Sequence, residues 1–265
     1  QKELLTQVIK LEDFPFDETI LSCNNKGQFP DLAIRISPPN ELFTGGELIE
    51  LKDSISYSVS SFNSTIPTGK KAIEKVVKVE SGSIALQMLA AGDDIFSLPI
   101  REVFYLIRGK KKDKIKICLV HGSFFETVPT NNLISQSFSQ VLDERLSQQG
   151  IIVEEEVKKL LLDLFSEQNS FNKVRNVDKA SVKLRFRIMT EVKAEGNILD
   201  SRKYPQIGND TINFILPAHD DEVENELSFL RMQNIFGHIL QEHFSIFKLK
   251  HHFNSYFLVF QQSLQ

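Results

Sequence analysis

The run ELIELKDSISYSVSS, residues 47–61, alternates along its whole length. Successive side chains of an extended strand point to opposite faces. Glu50, Lys52, Ser54, Ser56, Ser58 and Ser60 therefore share one face, and Ile49, Leu51, Ile55, Tyr57 and Val59 share the other. A period of two is incompatible with a helix, so the chain must build a sheet. The same run poses a problem of charge. Apolar residues surround Glu50 and Lys52, and a buried charge is costly unless it is paired or liganded. Either these two face water or they do chemistry.

The flanking sequence predicts what the sheet is made of. Leu4, Leu5, Val8, Ile9 and Leu11 recur at helical spacing, which predicts a short amphipathic helix at the start. The turn NNKGQFPD leads into an apolar strand over 32–36, and SPPNELFTGG, with two prolines and two glycines, is an irregular connection. STIPTGKKAIEKVVK reads as a loop feeding a helix that Thr68 caps, and SIALQMLAAG as a helix with a glycine stop. REVFYLIRG and KIKICLVHGSFFET are two strands joined by a lysine-rich turn. Further on, NLISQSFSQVLDERLSQQG and VEEEVKKLLLDLFSEQ read as helices. SVKLRFRIMTEVKAEG alternates like a strand with Lys183, Arg185 and Arg187 on one face. DEVENELSFLRMQNIFGHILQEHFSIFKL reads as helical through much of its length, and SYFLVFQQ as a terminal strand. The order predicts an α/β protein with a mixed central sheet flanked by helices and with additional C-terminal helices and strands.

A chain of 265 residues with 41% hydrophobic and 25% charged residues can bury a sizeable core, as one elaborated domain or two. The net charge of -4 argues against a protein that merely coats nucleic acid. The charge is segregated, however. REVFYLIRGKKKDKIK and residues 173–193 are basic, whereas VEEEVKKLLLDLFSEQ and HDDEVENE gather acid, which permits one basic face. Cys23 and Cys118 have no partners at metal-ligand spacing and read as reduced thiols. No apolar run approaches the roughly 20 residues that span a bilayer, and QKELLTQVIKLED lacks the apolar centre of a signal peptide. A soluble, intracellular protein without a membrane partner is the expectation.

If the strand over 32–36 lies beside that of Glu50, Asp31 at its start brings a second carboxylate near the first. Two carboxylates and a backbone carbonyl are hard oxygen ligands that suit Mg²⁺. A neighbouring ammonium can position the attacking water and offset charge developing on a phosphate. Pro30-Asp31, a gap containing a turn, and then Glu50-Leu51-Lys52 resembles the signature of the PD-(D/E)xK nuclease superfamily, and within it most a type II restriction endonuclease. The motif covers residues 29–71, and the strand order extends the likeness to about residue 127.

The resemblance implies an αβββαβ core over about 1–130, within a single elaborated nuclease domain. Residues from about 131 to 265 would then serve dimerisation or DNA recognition. It implies Mg²⁺ on Asp31, Glu50 and the Leu51 carbonyl, with Lys52 serving the nucleophilic water. It also implies double-stranded DNA as substrate, a homodimer that matches a symmetric site, and the cytoplasm of a bacterium or archaeon as location. Family members often add an acidic residue from the first helix, for which Glu3 and Glu12 are the two candidates.

Residues downstream of the motif are candidates for DNA contact: Ser54, Ser56, Asn63 and Thr65 by their small polar groups, and Lys70 and Lys71 near a helix N-terminus. Arg185 and Arg187 suit guanine edges. Each has a plainer reading as a solvated surface residue. For Glu50 and Lys52 the plain reading is an exposed ion pair worth about 0–1 kcal/mol. PTGKKA is no P-loop, because its first glycine is missing and Lys71 stands where Ser or Thr would be needed. His121, His238, His243, His251 and His252 lack zinc spacing. Two rivals stand beside the restriction reading: a repair or recombination nuclease that reads DNA structure, and a non-catalytic DNA-binding or scaffold module in which the same three residues form a structural ion network.

Overall fold

The computed structural model describes residues 18–24, 28–36, 45–54, 67–77, 82–126, 130–166, 174–177, 180–182, 201–219, 227–252 and 254–264. In chain order the elements are β1 (Leu21–Cys23), β2 (Leu32–Ile34), β3 (Leu48–Ser54), β4 (Lys70–Ala72), α1 (Ser83–Ala90), β5 (Ile100–Lys111) and β6 (Lys114–His121). There follow α2 (Thr130–Gln148), α3 (Glu155–Ser166), β7 (Val174–Val177), β8 (Ala180–Val182), β9 (Thr211–Ala218), α4 (Leu227–Phe236), α5 (Ile239–His243), β10 (Ser245–Lys250) and β11 (Tyr256–Ser263). The expected N-terminal helix over 4–11, with Glu3 and Glu12, lies outside the described residues. No helix among the described residues is long and apolar enough to cross a membrane.

The chain divides into two compact units. One comprises residues 1–60, 67–127 and 194–265, the other residues 61–66 and 128–193. The smaller unit holds α2, α3 and the β7–β8 pair, and Lys158 of α3 meets Asp143 of α2 at 2.7 Å. The larger unit is an α/β structure built on a mixed sheet in the order β1-β2-β3-β5-β6-β9-β11-β10, with β4 added to β5. β1, β2 and β3 form an antiparallel meander, and β5 then runs parallel to β3, with Glu50 opposite Tyr105 and Lys52 opposite Ile107. β5 and β6 form the antiparallel hairpin that their β-branched and aromatic residues predict. The sheet thus draws three strands from residues 211–263, well beyond the 1–130 stretch that sequence assigns to the core.

Both sheet faces are covered. On one, Val103, Tyr105, Ile107, Val120, Ile215 and Val259 are buried, and Phe124 seats its ring 4.8 Å from Phe257. On the other, α4 and α5 contribute Phe229, Met232 and Leu240 to a cluster with Ala218, Leu258 and Phe260. Double coverage explains why 257–260 is a continuous apolar run.

Three local expectations are corrected. β9 was not foreseen as a strand, because Asn213 and Pro217 break its pattern. The structure satisfies Asn213 by hydrogen bonds to Ile117 O and Thr211 Oγ1 and from Gln261 Nε2, at 3.2, 2.8 and 2.8 Å. Pro217 stands past Ile215, the last β9 residue to pair with β6. The helix expected to run on towards residue 249 ends at Gly237, whose φ of 58° is left-handed, and 245–250 joins the sheet as β10. Lys70 and Lys71 do not open a helix. They lie in β4, because β6 pairs with β5 only from Phe104 and leaves an edge at Ile100–Glu102 that β4 takes up.

The segment between α1 and β5 is tied down by charge. α1 ends in the αL geometry expected of Gly92 (φ 72°), with Asp93 N–H on Met88 O and Gly92 N–H on Leu89 O. The chain then delivers Asp93 to Arg101, and the two form a bidentate pair at 3.2 Å whose side chains are almost wholly buried. Arg101 also donates to Ile95 O (3.1 Å) and Ile34 O (3.5 Å), which links β5 to the end of β2. Removing one member of a buried pair strands the other charge. Arg101→Met is expected to cost roughly 3–5 kcal/mol in urea unfolding, and Asp93→Leu added to it to recover part of that loss.

Candidate active site

The site is assembled where β2 stops and β3 continues. β2 pairs with β3 only through Ala33 opposite Leu48 and Leu32 opposite Ile49. The turn before β2 is held by Asn24, whose N–H donates to Asp31 O (3.3 Å) and whose Nδ2 donates to Phe29 O (3.2 Å). The Phe29–Pro30 peptide is cis. Asp31 then occupies the place of the next strand residue, and its Oδ2 accepts the Leu51 N–H at 2.8 Å. A strand residue presents N–H and C=O on the same edge. The Leu51 carbonyl therefore opens beside the Asp31 carboxylate.

Glu50 and Lys52 project from the same side of β3, and Lys52 Nζ lies 2.7 Å from Glu50 Oε1. The burial of this strand reverses the expectation for its two faces. Leu51, on the apolar side of the alternation, is 43% exposed, whereas Glu50 is only 9% exposed. Across the parallel pair, Tyr105 packs beside Glu50, fully buried. The Glu50–Lys52 pair is thus not an exposed, solvated one.

Burial pushes the Glu50 carboxyl above the ordinary carboxylate range, and the Lys52 ammonium acts in the opposite sense. The Asp31 charge adds a smaller upward push, which places the two carboxylates within electrostatic reach. The Tyr105 hydroxyl is raised by the same burial and by Glu50. Glu50 Oε2 is buried with no hydrogen-bond partner. Such an orphan is costly in a finished core, and a cation would satisfy it.

Among the described residues there is no cluster of three or more His, Cys, Asp or Glu side chains placed to hold a metal. A cage made wholly of side chains is therefore not what the site offers. Mg²⁺ commonly uses one or two carboxylates and keeps several waters. Asp31, Glu50 and the Leu51 carbonyl fit that demand, and the unpartnered Oε2 is the observation that favours it.

The structure gathers Asp31, Glu50, Leu51 and Lys52 and distributes the other candidates. Ser54 lies on the Glu50 face and is buried. Lys71 shares that face through its pairing opposite Arg101, and its ammonium sits 4.0 Å from the centre of the Phe29 ring, next to the Pro30-Asp31 turn. Lys70 points the other way, into a cavity of about 720 Å³ lined also by Ile49, Phe104, His121 and Met232. His121 is thereby on the far face. Its Nδ1 is 2.7 Å from Ser123 Oγ, and burial lowers its pKa. Ser56, Asn63, Thr65, Arg185 and Arg187 lie outside the described residues. Sequence reasoning missed Asn24, Tyr105 and the Phe29–Lys71 contact. Only the parallel register of β5 on β3 would have pointed to Tyr105.

Comparison with family models, with curated proteins and with solved structures yields no match, so the site rests on its own geometry.

The raised pKa of Glu50 has a signed consequence for stability. The folded state holds this proton more tightly than the unfolded chain does. Its contribution is full below the unfolded value near 4.5 and is lost as pH rises through the higher folded value. Urea unfolding of Glu50→Gln between about pH 4 and pH 7 should lack that descending component.

Proposed function

We propose that this chain is a Mg²⁺-dependent nuclease of the type II restriction kind, which hydrolyses phosphodiester bonds of double-stranded DNA at a short specific sequence. The observation that carries the reading is the burial of Glu50 on the Lys52 side of β3, with one carboxylate oxygen unpartnered and the Asp31 carboxylate and Leu51 carbonyl alongside. The antiparallel strands β1, β2 and β3, followed after the short β4 by α1 and by β5 parallel to β3, are compatible with the βββαβ part of that core.

In this reading Asp31, Glu50 and the Leu51 carbonyl hold Mg²⁺, which when bound supplies Lewis-acid polarisation of a phosphate oxygen and of water. Lys52 leaves its contact with Glu50 far enough to orient the attacking water and to offset charge on the phosphate. The water oxygen bonds to phosphorus, the bond to O3′ breaks, and O3′ takes up a proton. The products are a 5′-phosphate and a 3′-hydroxyl. The low exposure of Glu50 strengthens each of these charge interactions relative to water. A homodimer would bring two such sites to the two strands of a symmetric target.

The test is incubation of the purified chain with phage DNA in Mg²⁺ or EDTA, beside Lys52→Ala and Glu50→Ala. Discrete, Mg²⁺-dependent fragments are expected, with a loss of at least about 10²-fold in each variant while circular dichroism stays unchanged. Cutting confined to branched or flapped substrates would move the assignment to a repair or recombination nuclease. Intact DNA in every lane, with folded protein, would leave a non-catalytic module whose ion network is structural.

A further inference from the structure

The basic run of residues 101–116 is left over by the site, and the fold gives it a particular position. β5 pairs with β3 as far as Gly109 opposite Ser54, and β6 pairs with β9 only from Lys116 opposite Thr211. Beyond those pairs Lys110 faces Ile115 and Lys111 faces Lys114, so on its β6 side the two-stranded hairpin runs on past the start of β9 at Thr211. Its base is fixed by Asp210, whose Oδ1 accepts Ile115 N–H at 2.9 Å and whose N–H donates to Ile115 O at 2.6 Å. Residues 110–114 beyond that anchor comprise Lys110, Lys111, Lys112, Asp113 and Lys114, in a chain whose net charge is -4. Lys110, Lys112 and Lys114 are exposed.

Stability does not account for this composition. Lys112 sits at φ 54°, the left-handed region that glycine or asparagine adopts with least strain and that hairpin turns normally reserve for them. A lysine there gives up backbone ease in return for a charge at the outermost point of the ribbon.

We propose that the β5–β6 ribbon is a duplex-binding arm, whose Lys110, Lys112 and Lys114 contact DNA phosphates flanking the bond cut at Lys52. This rests on the nuclease reading above. Because β3 and β5 run parallel with Lys52 opposite Ile107, Lys110 lies three residues, or about 10 Å, further along the same direction, with its side chain on the opposite face of the hairpin. That is within the reach of phosphates neighbouring the scissile one, and a two-stranded ribbon is of a size the major groove admits. Lys114, two residues from Lys116 on β6, shares the sheet face of Glu50 and Lys52. The contacts are electrostatic and carry no sequence information, so they raise affinity for any duplex.

The experiment is fluorescence anisotropy of a labelled duplex oligonucleotide with the full chain in EDTA, between about 50 and 200 mM salt. Each phosphate contact contributes about 0.9 to the slope of log affinity against log salt. Lys110→Gln/Lys112→Gln/Lys114→Gln should lower the slope by about 2 to 3 and weaken binding at least about tenfold. Lys112→Gly alone should lower the slope by about 0.9 while raising Tm by roughly 2–4 °C, a combination that damage to the fold would not give. Wild-type binding whose slope is unchanged in the triple variant overturns the arm and leaves the nuclease reading in place. Absence of both salt-dependent binding and Mg²⁺-dependent cleavage in the wild-type chain overturns the two together.

Discussion

β2 ends after three residues, while β3, its neighbour, runs for seven. Everything at the candidate site depends on that mismatch. Had β2 begun two residues earlier, its backbone would have run beside Leu51 and drawn that edge into the ladder. Instead the Pro30-Asp31 turn substitutes a carboxylate for a strand carbonyl, and Asp31 Oδ2 accepts the Leu51 N–H at 2.8 Å. One hydrogen bond therefore terminates the β2–β3 pairing and sets a charged group beside an unpaired strand edge. The buried Arg101–Asp93 pair supports this arrangement from behind, since Arg101 also holds Ile34 O at the other end of β2.

Burial then decides what β3 can do. Alternation in 47–61 shows that its two faces differ, but periodicity alone does not say which of them meets the core. The hydrophobic effect would ordinarily send Leu51 inward and Glu50 outward. The structure does the reverse at these two positions, because the parallel neighbour β5 lays Tyr105 against Glu50 and Lys52 supplies a counter-charge at 2.7 Å. A local rule broken at a carboxylate pair, and kept along most of the sheet, is the pattern expected of a functional position. The same inversion makes the ammonium of Lys52 necessary twice over, once to offset the buried carboxylate and once, in the proposed reaction, to attend the phosphate.

How far the sequence could be read follows the same physics. Elements that carry their own periodicity were legible: the β5–β6 hairpin, α1 with its glycine stop, α2, α3 and β11 all declare themselves in local pattern. Elements defined by what they pair with were not. β9 contains Asn213 and Pro217, and only the Thr211, Ile117 and Gln261 partners make Asn213 acceptable in a central strand. The KKA of β4 reads as the opening of a helix until the vacant edge of β5 at 100–102 is known. At the site, the spacing of Asp31, Glu50 and Lys52 was visible in the sequence. Their convergence depends on register, on the length of β2 and on Asn24 and Tyr105, none of which a single strand reveals.

The charge distribution joins these levels. Acidic residues that fold the larger unit are consumed where they stand: Asp93 by Arg101, and Asp210 by the Ile115 backbone. Asp53 and Arg108 meet at 2.6 Å in the open, where solvent leaves such a pair with little energetic weight. The lysines of the ribbon follow a different logic, with four of them crowded into 110–114 and one accepting a left-handed backbone. Like charges at a hairpin tip repel, and the cost falls when a polyanion neutralises them. In the proposed reading a polyanion that approaches along β3 and β5 relieves that repulsion and is carried onto the Glu50–Lys52 site.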